Sequence, residues 1–163
     1  MKKNIKFLAL SAMFAAVYFV LTMAISPIAY GPVQFRISEA MMIFAAMYAE
    51  AVPGLVVGCL LANIFSPFGI FDVIFGTLAT LLSCLFAYGF KKVKIKGFPW
   101  LSPLGAVIFN ALLVPVAFWL ASESYATYVF DALTVGLGEI ISFYPLGLIL
   151  WFIFTKATKG SKL

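Results

Sequence analysis

The sequence lacks histidine entirely, and only 10% of its 163 residues are charged. Without an imidazole, the chain has neither the usual acid–base group for catalysis near neutral pH nor the commonest metal ligand. It also lacks a G-x-x-x-x-G-K-[ST] loop, so any ATP-driven step requires another chain. Cys59 and Cys84 lie in apolar runs without metal-ligand spacing, which indicates buried, inert thiols. We therefore expect no metal and no cofactor.

What the sequence has in abundance is apolar side chains. Hydrophobic residues make up 64% of the chain and the mean hydropathy is +1.11, whereas soluble domains contain roughly 45 to 50% apolar residues. Long apolar runs with little alternation argue against an outer-membrane barrel. The composition predicts an all-α integral membrane protein with one domain over residues 1–163. The net charge of +5 is better explained by membrane topology than by nucleic-acid binding.

Breaks between the apolar runs predict six transmembrane helices. Their approximate bounds are 5–25, 35–48, 52–65, 70–90, 99–121 and 127–154. The second and third are short, because fourteen α-helical residues span roughly 21 Å of an about 30 Å hydrocarbon core, so they need partners or local thinning. Ten of the 11 basic residues are lysines, clustered near both termini and at 91–96. Six crossings place all three clusters on one side, which predicts cytoplasmic termini.

Small residues on the first predicted helix indicate a close-packing face. Ala12 and Ala16 stand one turn apart, as do Ser11 and Ala15. This spacing lets another helix approach closely, although alanine is common in membrane helices. We predict that Ala12 and Ala16 form a docking surface for a partner subunit.

Arg36 is the exception to the topological pattern of basic residues, because it falls at the outer end of the second predicted helix. A charge there needs a partner or a ligand. Glu39 stands three residues later on the same helix face, and such a pair contributes only tenths of a kcal/mol when exposed. Tyr30 and Gln34 in the same stretch offer further hydrogen bonds. The sequence leaves open whether Arg36 pairs with Glu39, with Glu139 or with a ligand.

Glu139 is the sharpest candidate for a ligand-binding group. It lies seventeen positions before Lys156, about 25 Å along a helix, and thus in the outer half of the sixth predicted helix. A charged side chain at the bilayer centre costs about 2.5 to 3.5 kcal/mol, so it is seldom accidental there. Gly136 and Gly138 leave room for a flat ligand. A structural pair with Arg36 is the alternative.

Four further polar residues have both a structural and a functional interpretation. Asp72, at the start of the fourth predicted helix, is typical of a capping or dipole-stabilising carboxylate. Asp131 lies near the outer end of the sixth, where hydration alone accounts for it. The amides of Asn63 and Asn110 suit either pairing between helices or contact with a polar ligand.

Three segments carry a family resemblance: residues 30–40, 53–63 and 71–80, with a looser match at 138–139. They resemble the QueT-type substrate-binding (S) components of energy-coupling factor (ECF) vitamin transporters. The length and the predicted six-helix topology match over the whole chain. The resemblance implies an S-component-like bundle in a prokaryotic cell membrane.

The resemblance further implies a multi-pass transport subunit, not an enzyme, that captures a queuosine precursor, a 7-deazaguanine, on the outer side. It would deliver this substrate when docked to a transmembrane coupling subunit and two ATPase subunits. Glu139 would accept the paired N–H donors of the base, aromatic rings would stack on it, and a second acid would meet an aminomethyl cation. The substrate-binding candidates are Tyr30, Gln34, Arg36, Glu39, Asn63, Phe68, Asp72, Asn110, Trp119, Asp131 and Glu139.

Other functions compete with this one. An S component for another vitamin would share the same architecture. A self-contained small carrier is the next alternative, although the chain lacks the internal repeat of larger secondary transporters. A structural membrane protein would leave Glu139 and Arg36 without a ligand. An intramembrane enzyme is the least supported, because no nucleophile and base pair stands out.

Overall fold

Helices account for nearly all of the residues that the computed structural model describes, which are 2–31, 34–95, 97–122 and 127–160. The helices are α1 (Lys2–Ala24), α2 (Ser26–Ala29), a 3₁₀ helix (Ile37–Ala46), α3 (Ala51–Asn63), α4 (Ile70–Gly89), α5 (Ser102–Ser122) and α6 (Tyr128–Gly160). The all-helical prediction is confirmed for these residues. Lys96, Lys162 and the connection at 123–126 lie outside the described residues.

Four of the helices are long and apolar enough to cross a membrane. The candidate spans are Lys3–Ala24, Ile70–Gly89, Ser102–Ala121 and Tyr128–Thr158, and about 20 helical residues suffice for a crossing. Large apolar side chains such as Leu8, Ile70 and Leu133 are exposed along them, as expected of surfaces that face lipid. The 3₁₀ helix and α3 are too short to cross alone. Six crossings and the orientation of the termini therefore stay predictions.

The second predicted segment has the expected position but a different winding. It is a 3₁₀ helix from Ile37 to Ala46, so the prediction of an α-helical rise over 35–48 was wrong. Nine of its ten residues are buried, and it contacts α1, α3, α4, α5 and α6. At about 2.0 Å per residue, ten 3₁₀ residues cover roughly 20 Å, where an α-helix would cover about 15 Å. Packing from every side thus overrides the usual preference for α winding.

Close packing of small residues joins α1 to α3. A Cβ added at Gly54 would lie 2.5 Å from the carbonyl oxygen of Ser11, and one at Gly58 would lie 2.7 Å from that of Ala15. These glycines therefore allow backbone contact that any side chain would prevent. The inward face of α1 uses Ser11 and Ala15, which leaves Ala12 exposed. Ala16, on the same outward face, is exposed as well.

Aromatic contacts gather the lysine-bearing segments at one end of the bundle, the lysine end. Phe98, in the connection after α4, packs edge-on against Trp151 of α6 at 5.5 Å between ring centroids. Phe44 contacts both Phe14 of α1, at 5.5 Å, and Phe154 of α6, at 4.6 Å. The opposite end, the polar end, contains the start of α4 and the start of the 3₁₀ helix.

Candidate functional site

Arg36 forms an ion pair with Asp72 at the polar end. Its Nη2 lies 3.2 Å from Asp72 Oδ2, and both side chains are buried. Its Nε donates to the carbonyl oxygen of Ala29 at 3.2 Å, and its guanidinium lies 5.1 Å from the centroid of the Tyr30 ring. The expected partners were Glu39, Glu139 or a ligand, but the partner is Asp72. The reason is that the extended backbone at Arg36 precedes the 3₁₀ helix and directs the side chain toward α4.

Neighbouring residues complete an ion-pair cluster, which we define as Tyr30, Arg36, Asn63 and Asp72. Asn63 Nδ2 donates to the backbone oxygen of Asp72 at 3.0 Å, which confirms pairing between helices. The Tyr30 hydroxyl donates to the backbone of α3 at 2.6 Å. Gly76 makes room for the cluster, because a Cβ there would lie 2.5 Å from Asp72 Oδ1 and 2.7 Å from Asn63 Nδ2. The cluster ties the 3₁₀ helix, α3 and α4 together.

Glu39 lies deeper in the bundle and is 1% exposed. Its Oε1 accepts a short hydrogen bond from the Tyr18 hydroxyl of α1, while its Oε2 has no hydrogen-bond partner. The Asn110 side chain of α5 lies beside this carboxylate, although its Nδ2 makes no hydrogen bond. The sequence analysis missed Tyr18. A phenol in the middle of an apolar helix was the signal that would have found it.

Glu139 is also buried, at 2% exposure, and its Oε2 has no hydrogen-bond partner. It interacts electrostatically with Glu39, which repels it, and with Arg36, which attracts it. Its position in α6 places it about 17 Å from the start of that helix. We call Glu39, Asn110 and Glu139 the acid cluster. Three helical segments, the 3₁₀ helix, α5 and α6, thus bring unpartnered donors and acceptors together.

The residues around Glu139 differ in part from expectation. A Cβ at Gly136 would touch the Ala111 Cβ at 3.4 Å, so Gly136 packs α6 against α5 beside Asn110 instead of leaving room for a ligand. Ser142 lies three residues after Glu139, on the same helix face, and its buried Oγ has no partner. The i, i+3 spacing from Glu139 was the signal for Ser142, which the sequence analysis missed.

Gln34 is a second unpartnered donor, near the start of the 3₁₀ helix. Its side chain is 2% exposed and its Nε2 has no hydrogen-bond partner. Its φ of 46° lies in the left-handed region, which costs a residue other than glycine about 1 to 3 kcal/mol. Such strain is typical of functional positions, so Gln34 stays a candidate for ligand contact.

The remaining candidates occupy different environments. Phe68 packs on Phe118 at 4.2 Å between ring centroids, in an apolar cluster with Val114 and Val135. Trp119 is 36% exposed, and Asp131 is half-buried in the first turn of α6, where a carboxylate favours the helix dipole. The described contacts therefore place Phe68 and Asp131 in structural roles.

Comparison with known proteins decides the family. The family model described as QueT transporter matches residues 8–156 of the chain. The chain belongs to the QueT transporter family. A relative, the queuosine precursor transporter QueT of Lactococcus lactis subsp. cremoris (strain MG1363), is 32% identical over 142 residues, covering 82% of this chain and 83% of the relative. No solved structure matches the chain significantly. The family resemblance in the sequence is thereby confirmed.

Membership in the QueT transporter family makes the acid cluster the natural place to look for substrate. Its free groups are two carboxylate oxygens and an amide nitrogen, which suit a ligand that carries both N–H donors and a carbonyl. Among the residues that the structure describes, no group of three or more cysteines or carboxylates could hold a metal ion. The cluster therefore matches an organic substrate best.

Proposed function

We propose that the chain is the substrate-binding subunit of an ECF-type transporter and takes up a queuosine precursor, a 7-deazaguanine. The printed name of the Lactococcus lactis relative supports the substrate class. The observation that carries the proposal is the buried, unpartnered Oε2 of Glu139. A buried carboxylate with a free oxygen costs free energy, so it is retained where a ligand satisfies it.

The chemistry of a 7-deazaguanine complements the acid cluster. One edge of the base presents adjacent N–H donors that a carboxylate such as Glu139 accepts as a pair, and charge-assisted hydrogen bonds contribute about 1.5 to 3 kcal/mol each. The neighbouring ring carbonyl accepts from an amide, and Asn110 Nδ2 is an unused donor. Ser142 and Gln34 add two further unpartnered groups. The site thus offers acceptors and donors of the kinds that the base requires.

The outward face of α1 supports docking to a transmembrane coupling subunit that works with two ATPase subunits. Ala12 and Ala16 are exposed, and Ala12 lines a groove of about 260 Å³ between α1 and α3 with Ala15, Pro53 and Val57. Small residues at such a surface let the helix of a partner approach closely. The chain itself has no nucleotide-binding loop, so ATP hydrolysis belongs to the partners.

The distribution of lysines supports an orientation in a prokaryotic plasma membrane. Lys91, Lys92 and Lys94 follow α4, at the end where α6 also finishes. The positive-inside rule then places the lysine end in the cytoplasm and the polar end outside. The ion-pair and acid clusters face the side from which substrate arrives, with lipid around the bundle and no role for nucleic acid.

A binding measurement on Glu139→Gln tests the substrate role. The amide replaces an acceptor oxygen by a donor that opposes the N–H groups of the ligand, which costs about 1 to 3 kcal/mol. Affinity for 7-deazaguanines should therefore fall roughly 5- to 140-fold in calorimetric titration of the detergent-purified protein. Glu50→Gln, at the start of α3, removes the same charge elsewhere and should bind normally. Wild-type affinity in the Glu139 variant would contradict the proposal.

Copurification tests the coupling. Ala12→Leu with Ala16→Leu should prevent assembly with the coupling subunit and abolish ATP-dependent uptake in cells, because added bulk blocks close helix approach. Ligand binding by the isolated subunit should persist. Met13→Leu with Val17→Leu, on the adjacent exposed face of α1, is the control. Retained assembly would rule out this surface, and uptake without any ATPase subunit would favour a self-contained carrier.

A further inference from the structure

Four ionisable side chains are buried around the two clusters, and their charges do not balance. They are one arginine, Arg36, and three carboxylates, Glu39, Asp72 and Glu139. The ion pair accounts for Arg36 and Asp72. Two carboxylates are left without a cation among the described residues. Burial of an unpaired charge costs several kcal/mol, so this excess needs compensation from outside the chain or from bound protons.

The two remaining carboxylates differ in what they can accept. One oxygen of Glu39 is occupied by the Tyr18 hydroxyl, so a single oxygen is free. A single charged oxygen suits a compact cation such as an ammonium group, which needs no paired acceptor. Glu139 repels Glu39 electrostatically, and a cation between them would relieve that repulsion.

We propose that Glu39 determines substrate specificity by accepting an ammonium group on the substrate, so that the site selects a cationic 7-deazaguanine over uncharged bases with the same ring. The inference rests on the proposed function, because Glu139 would hold the ring edge while Glu39 holds the side group. The observations that carry it are the buried charge excess and the free Oε2 of Glu39. Tyr18 is a positioning residue, because its hydroxyl fixes the other oxygen of the carboxylate.

A double-mutant cycle between protein and ligand tests the inference. The ligands are 7-aminomethyl-7-deazaguanine and its 7-hydroxymethyl analogue, which is nearly the same size and uncharged. Wild-type protein should bind the aminomethyl base roughly 10- to 140-fold more tightly in calorimetric titration, since a charged hydrogen bond is worth about 1.5 to 3 kcal/mol. In Glu39→Gln, which keeps an acceptor for Tyr18, this ratio should fall to within about threefold.

The outcomes separate this inference from the proposed function. If wild-type protein binds both bases equally, or if Glu39→Gln weakens both by the same factor, Glu39 does not select charge and the inference is wrong. Glu139→Gln should weaken both bases equally and so preserve the ratio. If the wild-type protein binds neither base, the proposed function fails as well. The wild-type comparison decides the matter even if the Glu39 variant fails to fold.

Discussion

The ion-pair cluster and the acid cluster are both buried and both polar, yet they use their charges differently. In the ion-pair cluster, Arg36 and Asp72 neutralise each other and the guanidinium has three partners within the chain. In the acid cluster, Glu39 and Glu139 carry the same sign and repel each other. Burial alone therefore does not mark a binding site. Neutrality identifies the first cluster as structural, and the unbalanced charge identifies the second as a candidate for ligand binding.

The position of each cluster fits this division. The ion-pair cluster joins the first turn of α4 to the residue before the 3₁₀ helix, where the chain needs a fixed connection. The acid cluster lies deeper, where the 3₁₀ helix, α5 and α6 meet. A substrate that reaches the acid cluster passes the polar end first, so a rigid ion pair there also shapes the entrance.

Breaking the ion pair should produce the largest effect on stability. Arg36→Met leaves Asp72 buried without a cation, and removing one partner of a buried pair costs about 3 to 5 kcal/mol. We expect a large drop in the midpoint of thermal unfolding of the ligand-free protein in detergent. The fraction that stays folded should bind substrate with nearly wild-type affinity.

A second substitution provides the control for that experiment. Arg36→Met combined with Asp72→Leu replaces both charges by apolar groups, and such replacements are often neutral or stabilising. The double variant should recover most of the lost stability, because Asn63 bonds only the backbone of residue 72. A stable Arg36→Met protein that no longer binds substrate would instead assign Arg36 to the ligand site.

Gly76→Ala should disturb the same cluster less severely. The new Cβ would meet Asp72 Oδ1 at 2.5 Å and Asn63 Nδ2 at 2.7 Å, and overpacking of this kind costs about 1 to 3 kcal/mol. Gly89→Ala is a matched control near the end of the same helix, where a Cβ would meet nothing within 4 Å. Equal unfolding midpoints for the two variants would show that Gly76 is not needed for the ion-pair cluster.

The sequence predicted the helices well because their signals are local. Long apolar runs and breaks such as Ser26-Pro27 and Ser66-Pro67 placed the helix bounds within a few residues of those in the structure. The winding of Ile37–Ala46 was not predictable in the same way, because it depends on contacts with five other helices. The lesson is that apolar periodicity locates a buried segment without deciding its rise per residue.

Polar partners were harder to predict than helices. Arg36 and Glu39 are neighbours in sequence, yet the cation pairs with Asp72, thirty-six residues away. Sequence spacing identified which charges are unusual, since Arg36, Glu39, Asp72 and Glu139 are all buried. It did not identify how they pair, because pairing between helices follows from tertiary packing. Tyr18 and Ser142 were missed for the same reason.

Neutralising the acid cluster should give the smallest effect on the ligand-free protein, and one of opposite sign. Glu39→Gln and Glu139→Gln each remove one of two like charges that repel each other, at nearly constant volume. We therefore expect the midpoint of thermal unfolding without ligand to stay the same or rise by a few degrees, in contrast to the loss expected for Arg36→Met.

The ligand reverses that order, which makes the last comparison decisive. A ligand stabilises the folded state according to its concentration relative to its Kd, so wild-type protein with saturating 7-aminomethyl-7-deazaguanine should unfold at a higher temperature than either acid variant. The two midpoints thus move in opposite directions for the same substitution. A structural carboxylate behaves otherwise: its removal lowers the midpoint without ligand and leaves the ligand-induced rise unchanged. That pattern at Glu39 or Glu139 would move the residue from the binding site to the scaffold.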